Sequence, residues 1–175
     1  MPIRNGRAPM YRWLVPLLFT LTTACAPVGV ADGFVADGAH ISPFATGLPA
    51  ITNLDPALLR AVREAARDAA ADGVPMFLTT AWRSERYQRR LYDEAITKYG
   101  SEQEARRFVS TPGHSRHVTG DAVDVGPTDA DDWLNRHGRA YGLCQTYANE
   151  IWHFELATTP GGDCPPMRPD ATARL

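Results

Sequence analysis

Pro112-Gly113-His114-Ser115-Arg116-His117-Val118-Thr119-Gly120-Asp121-Ala122-Val123-Asp124-Val125 gathers two histidines, a serine, two glycines and two aspartates into fourteen residues. His117 and Asp124 stand seven apart, with a small-residue turn at Thr119-Gly120 between them. Ala122 to Val125 alternates as a short strand does, so Val123 and Val125 share one face and Ala122 and Asp124 the other. A carboxylate on a strand face, looking back at an imidazole across a tight turn, is half of a metal site. The other half lies in Glu150-Ile151-Trp152-His153.

Zinc in hydrolases takes three protein ligands of His and Asp/Glu type and keeps one position open. His117, Asp124 and His153 make such a set. Glu150 is then a spare carboxylate beside the metal, the natural general base toward an attacking water. One histidine in an apolar strand is more often a core residue than a ligand, and it is the two segments together that favour the metal. Glu150 and His153 are three apart and would face opposite sides of a straight strand. Glu150 is therefore expected on a turn before the strand, where Asn149 is a turn former.

Ser115-x-His117-x-x-Gly120-x-Ala122-x-Asp124, followed by Glu150-x-Trp152-His153, resembles the zinc D,D-peptidases of the vancomycin-resistance D-alanyl-D-alanine carboxypeptidase group. Upstream, Trp82-Arg83-Ser84-x-x-x-Gln88 resembles that family's Tyr-Arg-Ser-x-x-x-Gln, with Trp82 in place of the tyrosine. The match runs over 54–156. It implies Zn2+ as cofactor and hydrolysis of the terminal D-Ala-D-Ala bond of peptidoglycan stem peptides. It also implies that Arg83, always charged and forked, meets the developing oxyanion. Ser115 would hydrogen-bond substrate, and Gln88 would orient either Arg83 or substrate. His114 and Arg116 flank the ligand as weaker candidates for a substrate carboxylate. The same site would also suit a D-Ala-D-Ala dipeptidase, or an endopeptidase cutting L-Ala-D-Glu or a cross-link. A non-catalytic cell-wall-binding module is the reading from another class; loss of Glu150 or a ligand would signal it, and all four residues are present.

The N-terminus reads as an export signal. Arg4, Arg7 and Arg12 precede an apolar run over 13–23 that is too short to span a bilayer. Leu21-Thr22-Thr23-Ala24-Cys25 resembles a bacterial lipobox, with Thr22 where leucine usually stands. We expect lipidation of Cys25, the alternative being a secreted protein cut nearby. Residues 1–24 carry three arginines and no acid, so the formal charge of −2 becomes −5 for a chain starting at Cys25. A mildly acidic protein has no electrostatic footprint for nucleic acid, and a membrane would hold it only through a lipid. Cys144 and Cys164 remain, and in an oxidising compartment they are expected to pair. We expect a signal over 1–24, a tether or irregular lead-in over 25–52, a peptidase domain over 53–165 and a tail over 166–175, in a monomer.

The rest of the chain reads as α+β: helices packed against a small, mainly antiparallel sheet that carries the site. Asp55-Pro56 opens a helix with Leu58, Val62, Ala65, Ala66 and Ala69 on one face and Gly73 at its end. A strand over 76–82 delivers Arg83. Ser84 caps a second helix with a buried stripe of Tyr87, Leu91, Ala95 and Tyr99, closed by Gly100. Ser101-x-x-Glu104 is a capping box for a third helix, to about 109. Thr128 or Asp129 caps a helix through Trp133 and Leu134, with Asp131 and Asp132 there for the helix dipole. Residues 143–147 and 151–156 form a hairpin.

Overall fold

The computed structural model describes Met1 and residues 27–174. The rest of the expected leader, and Cys25 with it, lies outside the described residues. What is described of 25–52 is an ordered, irregular lead-in. It contains a turn of 3-10 helix at Val30–Asp32, a backbone bridge from Ile41 to Leu78, and the one-turn helix α1 (Pro49–Thr52). Ile41, Ala50 and Ile51 belong to the main core. Asp32 is buried and binds the Ser84 hydroxyl, at 2.8 Å, and the Arg86 guanidinium. Its carbonyl accepts the Ser84 N–H at 2.8 Å. The lead-in thus grips the chain directly beside Arg83.

Helix α2 (Pro56–Ala71) starts as its sequence indicates. The Asp55 carboxylate accepts from the Ala57 and Leu58 amides at 2.8 and 3.0 Å, and Pro56 occupies the first position. The expected stripe is buried, with Ala61 added, and the many alanines let the helix sit close to the sheet. Strand β1 (Phe77–Thr80) is shorter than expected: it carries a bulge between Leu78 and Thr80, and beyond it the Trp82 and Arg83 amides bond to the Ala50 and His117 carbonyls instead of a ladder partner.

Helix α3 (Glu85–Tyr99) is capped by the Ser84 hydroxyl, which accepts the Tyr87 amide, and ends at Gly100. Its buried stripe differs from the expected one. Gln88, Tyr92 and Ala95 face inward, while Tyr87, Leu91 and Tyr99 are only half-buried. The rotation has a polar cause: Gln88 turns in because two partners wait for it there. Tyr87 instead meets Phe34 of the lead-in edge-on, and Tyr99 stacks on Phe108. Helix α4 (Glu102–Ala105) stops short of 109; Ser101 caps the Glu104 amide, but the Glu104 carboxylate pairs with Arg107.

Helix α5 (Arg116–Thr119) is a single turn closed by Gly120 at φ 80°. A side chain there is barred twice, by the left-handed backbone and by the Asn53 carbonyl, which a Cβ would approach to 2.4 Å. Strand β2 (Ala122–Gly126) follows and is wholly buried. Helix α6 (Thr128–His137) is capped by neither Thr128 nor Asp129. Pro127 is the N-cap, and its carbonyl takes the Ala130 and Asp131 amides. Strands β3 (Leu143–Gln145) and β4 (His153–Leu156) form the expected hairpin.

The four strands pair antiparallel throughout in the order β1-β2-β4-β3. Val123 lies opposite Phe154, and Asp124 opposite His153. Because strand side chains alternate, the sheet divides cleanly. Val123, Val125, Leu78 and Phe154 pack into the core with Leu58 and Val62 of α2 and Trp133 and Leu134 of α6. Asp124, His153 and Glu155 take the other face. Cys144 and Cys164 are joined in a disulfide that ties β3 to the segment after β4. The loop it closes is worth about 3 kcal/mol in the chain-entropy picture. The tail through Arg168 docks beside β3, exchanging backbone bonds with Thr146 and Ala148.

Candidate metal centre

Three elements bring three donor atoms together. The α5 turn supplies His117, β2 supplies Asp124, and the first residue of β4 supplies His153. His117 Nε2 lies 3.2 Å from His153 Nδ1 and 3.3 Å from Asp124 Oδ1, and His153 Nδ1 lies 3.2 Å from Asp124 Oδ1. Bonds of about 2.0–2.1 Å at tetrahedral angles require donor–donor edges of about 3.3–3.4 Å. The triangle matches that requirement, and the three residues could hold a metal ion.

The outward nitrogens fix how the rings present themselves. His117 Nδ1 lies 2.8 Å from the Ala81 carbonyl, so it carries the proton and leaves the Nε2 lone pair facing inward. His153 Nε2 lies 3.1 Å from Glu155 Oε1, which aims Nδ1 inward in the same way. Glu155 is itself held by the Thr146 hydroxyl at 2.8 Å, with Arg116 Nε 3.6 Å away. Such outer partners orient metal-binding histidines and raise their basicity. Sequence reasoning missed Glu155, Thr146 and the Ala81 carbonyl. Glu155 was findable: two residues after a ligand on a strand is the same face.

Burial and charge set the protonation states. His117, Asp124 and His153 are 5, 5 and 3% exposed. Burial pushes His117 down, and Arg83 adds to this. Burial also opposes charge on His153, but hydrogen bonds to Asp124 and Glu155 overcome it and lift the ring to about 9. Burial alone would raise Asp124; both histidines and Arg83 outweigh it and hold the carboxyl well below the usual range. A metal ligand must be a neutral imidazole, so a metal would release the Nδ1 proton that the bond to Asp124 favours.

Glu150 sits where the spacing requires, on a turn before β4. Its carbonyl accepts the His153 amide at 3.2 Å, and its carboxylate reaches to 3.6 Å from His153 Nδ1. Burial pushes its pKa up to about 7, with Asp124 and Glu155 adding and His153 and Arg83 opposing. It lines a cavity of about 190 Å³ at the centre, together with Arg83, Ser115, Arg116, Tyr147 and Trp152.

Arg83 is gripped at all three nitrogens: Nε by Thr80 at 3.0 Å, Nη1 by Gln88 at 3.0 Å and Nη2 by Asp124 at 2.9 Å. Gln88 gives its amide to the Ser110 carbonyl at 2.8 Å. It is 1% exposed, so of the two tasks open to it, orienting Arg83 is the one the geometry displays. Ser115 is buried at the start of α5, and its hydroxyl does not cap that turn. His114 turns aside to the Thr111 hydroxyl, and Arg116 pairs with Asp121.

Residues 51–158, more than half of the chain, match the family model described as VanY, D-alanyl-D-alanine carboxypeptidase. A D-alanyl-D-alanine carboxypeptidase of Enterococcus faecalis (strain ATCC 700802 / V583) is 26% identical over 111 residues, covering 49% of this chain and 41% of that protein. The chain thus spans about two-fifths of that relative's length. Among solved structures, a glutamate-to-alanine mutant of the vancomycin-resistance D,D-pentapeptidase VanY from a VanB-type cassette, in complex with Zn(II), superposes with a TM-score of 0.55 at 22% identity. That match covers 62% of this chain and 73% of the other. The vancomycin-resistance D,D-dipeptidase VanXYg, bound to a D-Ala-D-Ala phosphinate analogue, gives 0.53 at 26%, over 61% and 51%. Sequence and fold agree that the chain belongs to the VanY family of D-alanyl-D-alanine carboxypeptidases.

Proposed function

We propose that this chain is a zinc peptidase that removes the terminal D-alanine from peptidoglycan stem peptides ending in D-Ala-D-Ala. The observation that carries the reading is the buried triangle of His117, Asp124 and His153, with Glu150 on its rim and an arginine-lined cavity in front. Two nitrogens and one carboxylate oxygen at tetrahedral edge lengths suit Zn2+, with one position left over. When bound, zinc supplies Lewis acidity and an acidified water at neutral pH.

The chain's own groups do the rest. Glu150, raised to about 7, is poised to take a proton from the attacking water and return it to the leaving amine. Arg83 holds Asp124 in place through Nη2 and lines the cavity, where N–H groups not taken by Thr80, Gln88 and Asp124 would meet an oxyanion. Gln88 and Thr80 keep that guanidinium from swinging away. Ser115 and Arg116 line the cavity on the side suited to the substrate's carboxylate.

We also propose an exported, monomeric protein anchored through a lipid at Cys25. The support is the arginine-led apolar leader and the Cys144–Cys164 bond, which belongs to oxidising compartments. No helix of the described residues is long and apolar enough to cross a membrane. Mass spectrometry of pentapeptide muropeptides incubated with the zinc-loaded protein tests the activity. Loss of one D-alanine is expected. Release of two residues or a mid-stem cut would replace it with another specificity of the same site, and no change at all would overturn it.

A further inference from the structure

A second cavity, of about 410 Å³, lies on the other flank of the metal centre. Asp124 and Trp152 line both cavities, so one strand and one ring separate them. Their charged linings differ. Arg83 and Arg116 line the first, beside Asp124 and Glu150. Among the described residues, the second has two acids, Asp124 and Asp131, and no lysine or arginine.

Asp131 stands in the first turn of α6 and is 4% exposed. Its Oδ1 has no hydrogen-bond partner among the described residues. The helix dipole favours an acid there, but that attraction is weaker than the cost of leaving a buried acceptor unmade. Burial pushes its pKa up to about 6, and Asp132 and Asp124 add to the effect. The walls around it are largely apolar: Phe77, with His40 stacked on it at 3.6 Å, and the exposed Ile151 and Trp152, with Thr79 and Thr128 beside them. An acid with one oxygen unpartnered in the wall of a largely apolar slot matches a methylene chain with an ammonium head.

We propose that this second cavity is a subsite for a substrate side chain ending in a primary ammonium, with Asp131 as the residue that selects it. The inference rests on the peptidase reading. A stem peptide carries a diamino acid one residue before its D-Ala-D-Ala terminus. With the scissile bond at the metal centre, that residue's Cα lies about 4 Å from its neighbour's, and its amine several ångströms further. This reach suits a cavity that shares Asp124 with the centre. The substrate then lies with its carboxylate toward the arginines and its amine toward Asp131.

The test compares two peptides, acyl-Lys-D-Ala-D-Ala and the same peptide with the lysine amine acetylated, on the zinc-loaded protein. A kcat/KM ratio of about tenfold or more in favour of the free amine is expected, the scale of a desolvated charge pair. Asp131→Asn should bring the ratio toward one, with zinc content and melting temperature checked against the parent. Equal hydrolysis of both peptides by the parent would overturn the subsite and leave the peptidase reading standing, whatever the fate of the variant. A ratio that survives Asp131→Asn would overturn the assignment to Asp131. Hydrolysis of neither peptide would overturn both readings.

Discussion

Glu155→Ala should weaken zinc binding without touching a ligand. The side chain accepts from His153 Nε2 at 3.1 Å and from the Thr146 hydroxyl at 2.8 Å, and it is 5% exposed. Truncation leaves His153 Nε2–H facing no acceptor at that point. The ring then loses its reason to keep the proton on Nε2 and can move it to Nδ1, the atom that must face the metal. A lost hydrogen bond of this charged kind is worth about 1.5–3 kcal/mol. Outer partners of metal-binding histidines typically account for about 10–100-fold in affinity, which is about 1.4–2.7 kcal/mol, so the two scales agree. Glu155→Gln keeps a carbonyl acceptor of the same size and should lose less than about tenfold. Competition against a chromophoric chelator measures both, and kcat at saturating zinc should largely recover for Glu155→Gln. If folded Glu155→Ala bound zinc within about twofold of the parent, the argument that Glu155 sets the His153 tautomer would be wrong.

Glu150→Ala should retain zinc and lose about 10²–10⁴-fold in kcat, the range of a general base, whereas His117→Ala and His153→Ala should lose the metal; zinc content and steady-state rates on an acyl-D-Ala-D-Ala peptide separate the two outcomes. Asp32→Ala removes the grip on Ser84 and Arg86 and should cost about 1–3 kcal/mol in urea unfolding, with zinc retained and kcat reduced because Arg83 is the next residue. Asp131 has a folded pKa of about 6 against an ordinary 3.8, so its contribution to stability is present below about pH 4 and is lost as pH rises toward 6. Parent and Asp131→Asn should therefore diverge in unfolding free energy between pH 4 and 6, with the variant gaining relative to the parent; parallel curves would contradict the shift.

The metal triangle was legible because its spacing is enforced by local geometry. Gly120 makes a turn only glycine fits, and the alternation of β2 puts Asp124 on the turn's side of the sheet. The placement of Glu150 followed from strand periodicity, since residues three apart cannot share a strand face unless one leaves the strand. Helix starts at Asp55 and Ser84 were readable for the same reason, as a side-chain oxygen satisfies amides a few residues away. The stripe of α3 was not readable. Its pattern of tyrosines and leucine outweighs Gln88 on a hydropathy count, and it is the bonds to Arg83, five residues upstream, and to the remote Ser110 carbonyl that turn the glutamine inward. The cap of α6 failed likewise, because Thr128 and Asp129 look like caps until Pro127 takes the position. Asp131 read as an acid favoured by the helix dipole, and its burial depends on β1 and on the turn before β4, both remote in sequence.

The grip of Asp32 on Ser84 and Arg86 also fixes a leash. Cys25 lies seven positions before Asp32, a reach of no more than about 25 Å even for a fully extended chain. A lipid on Cys25 would therefore hold the cleft close over the bilayer it is anchored in. Stem peptides still attached near that surface would be within its range, and those in outer layers of the wall would pass beyond it.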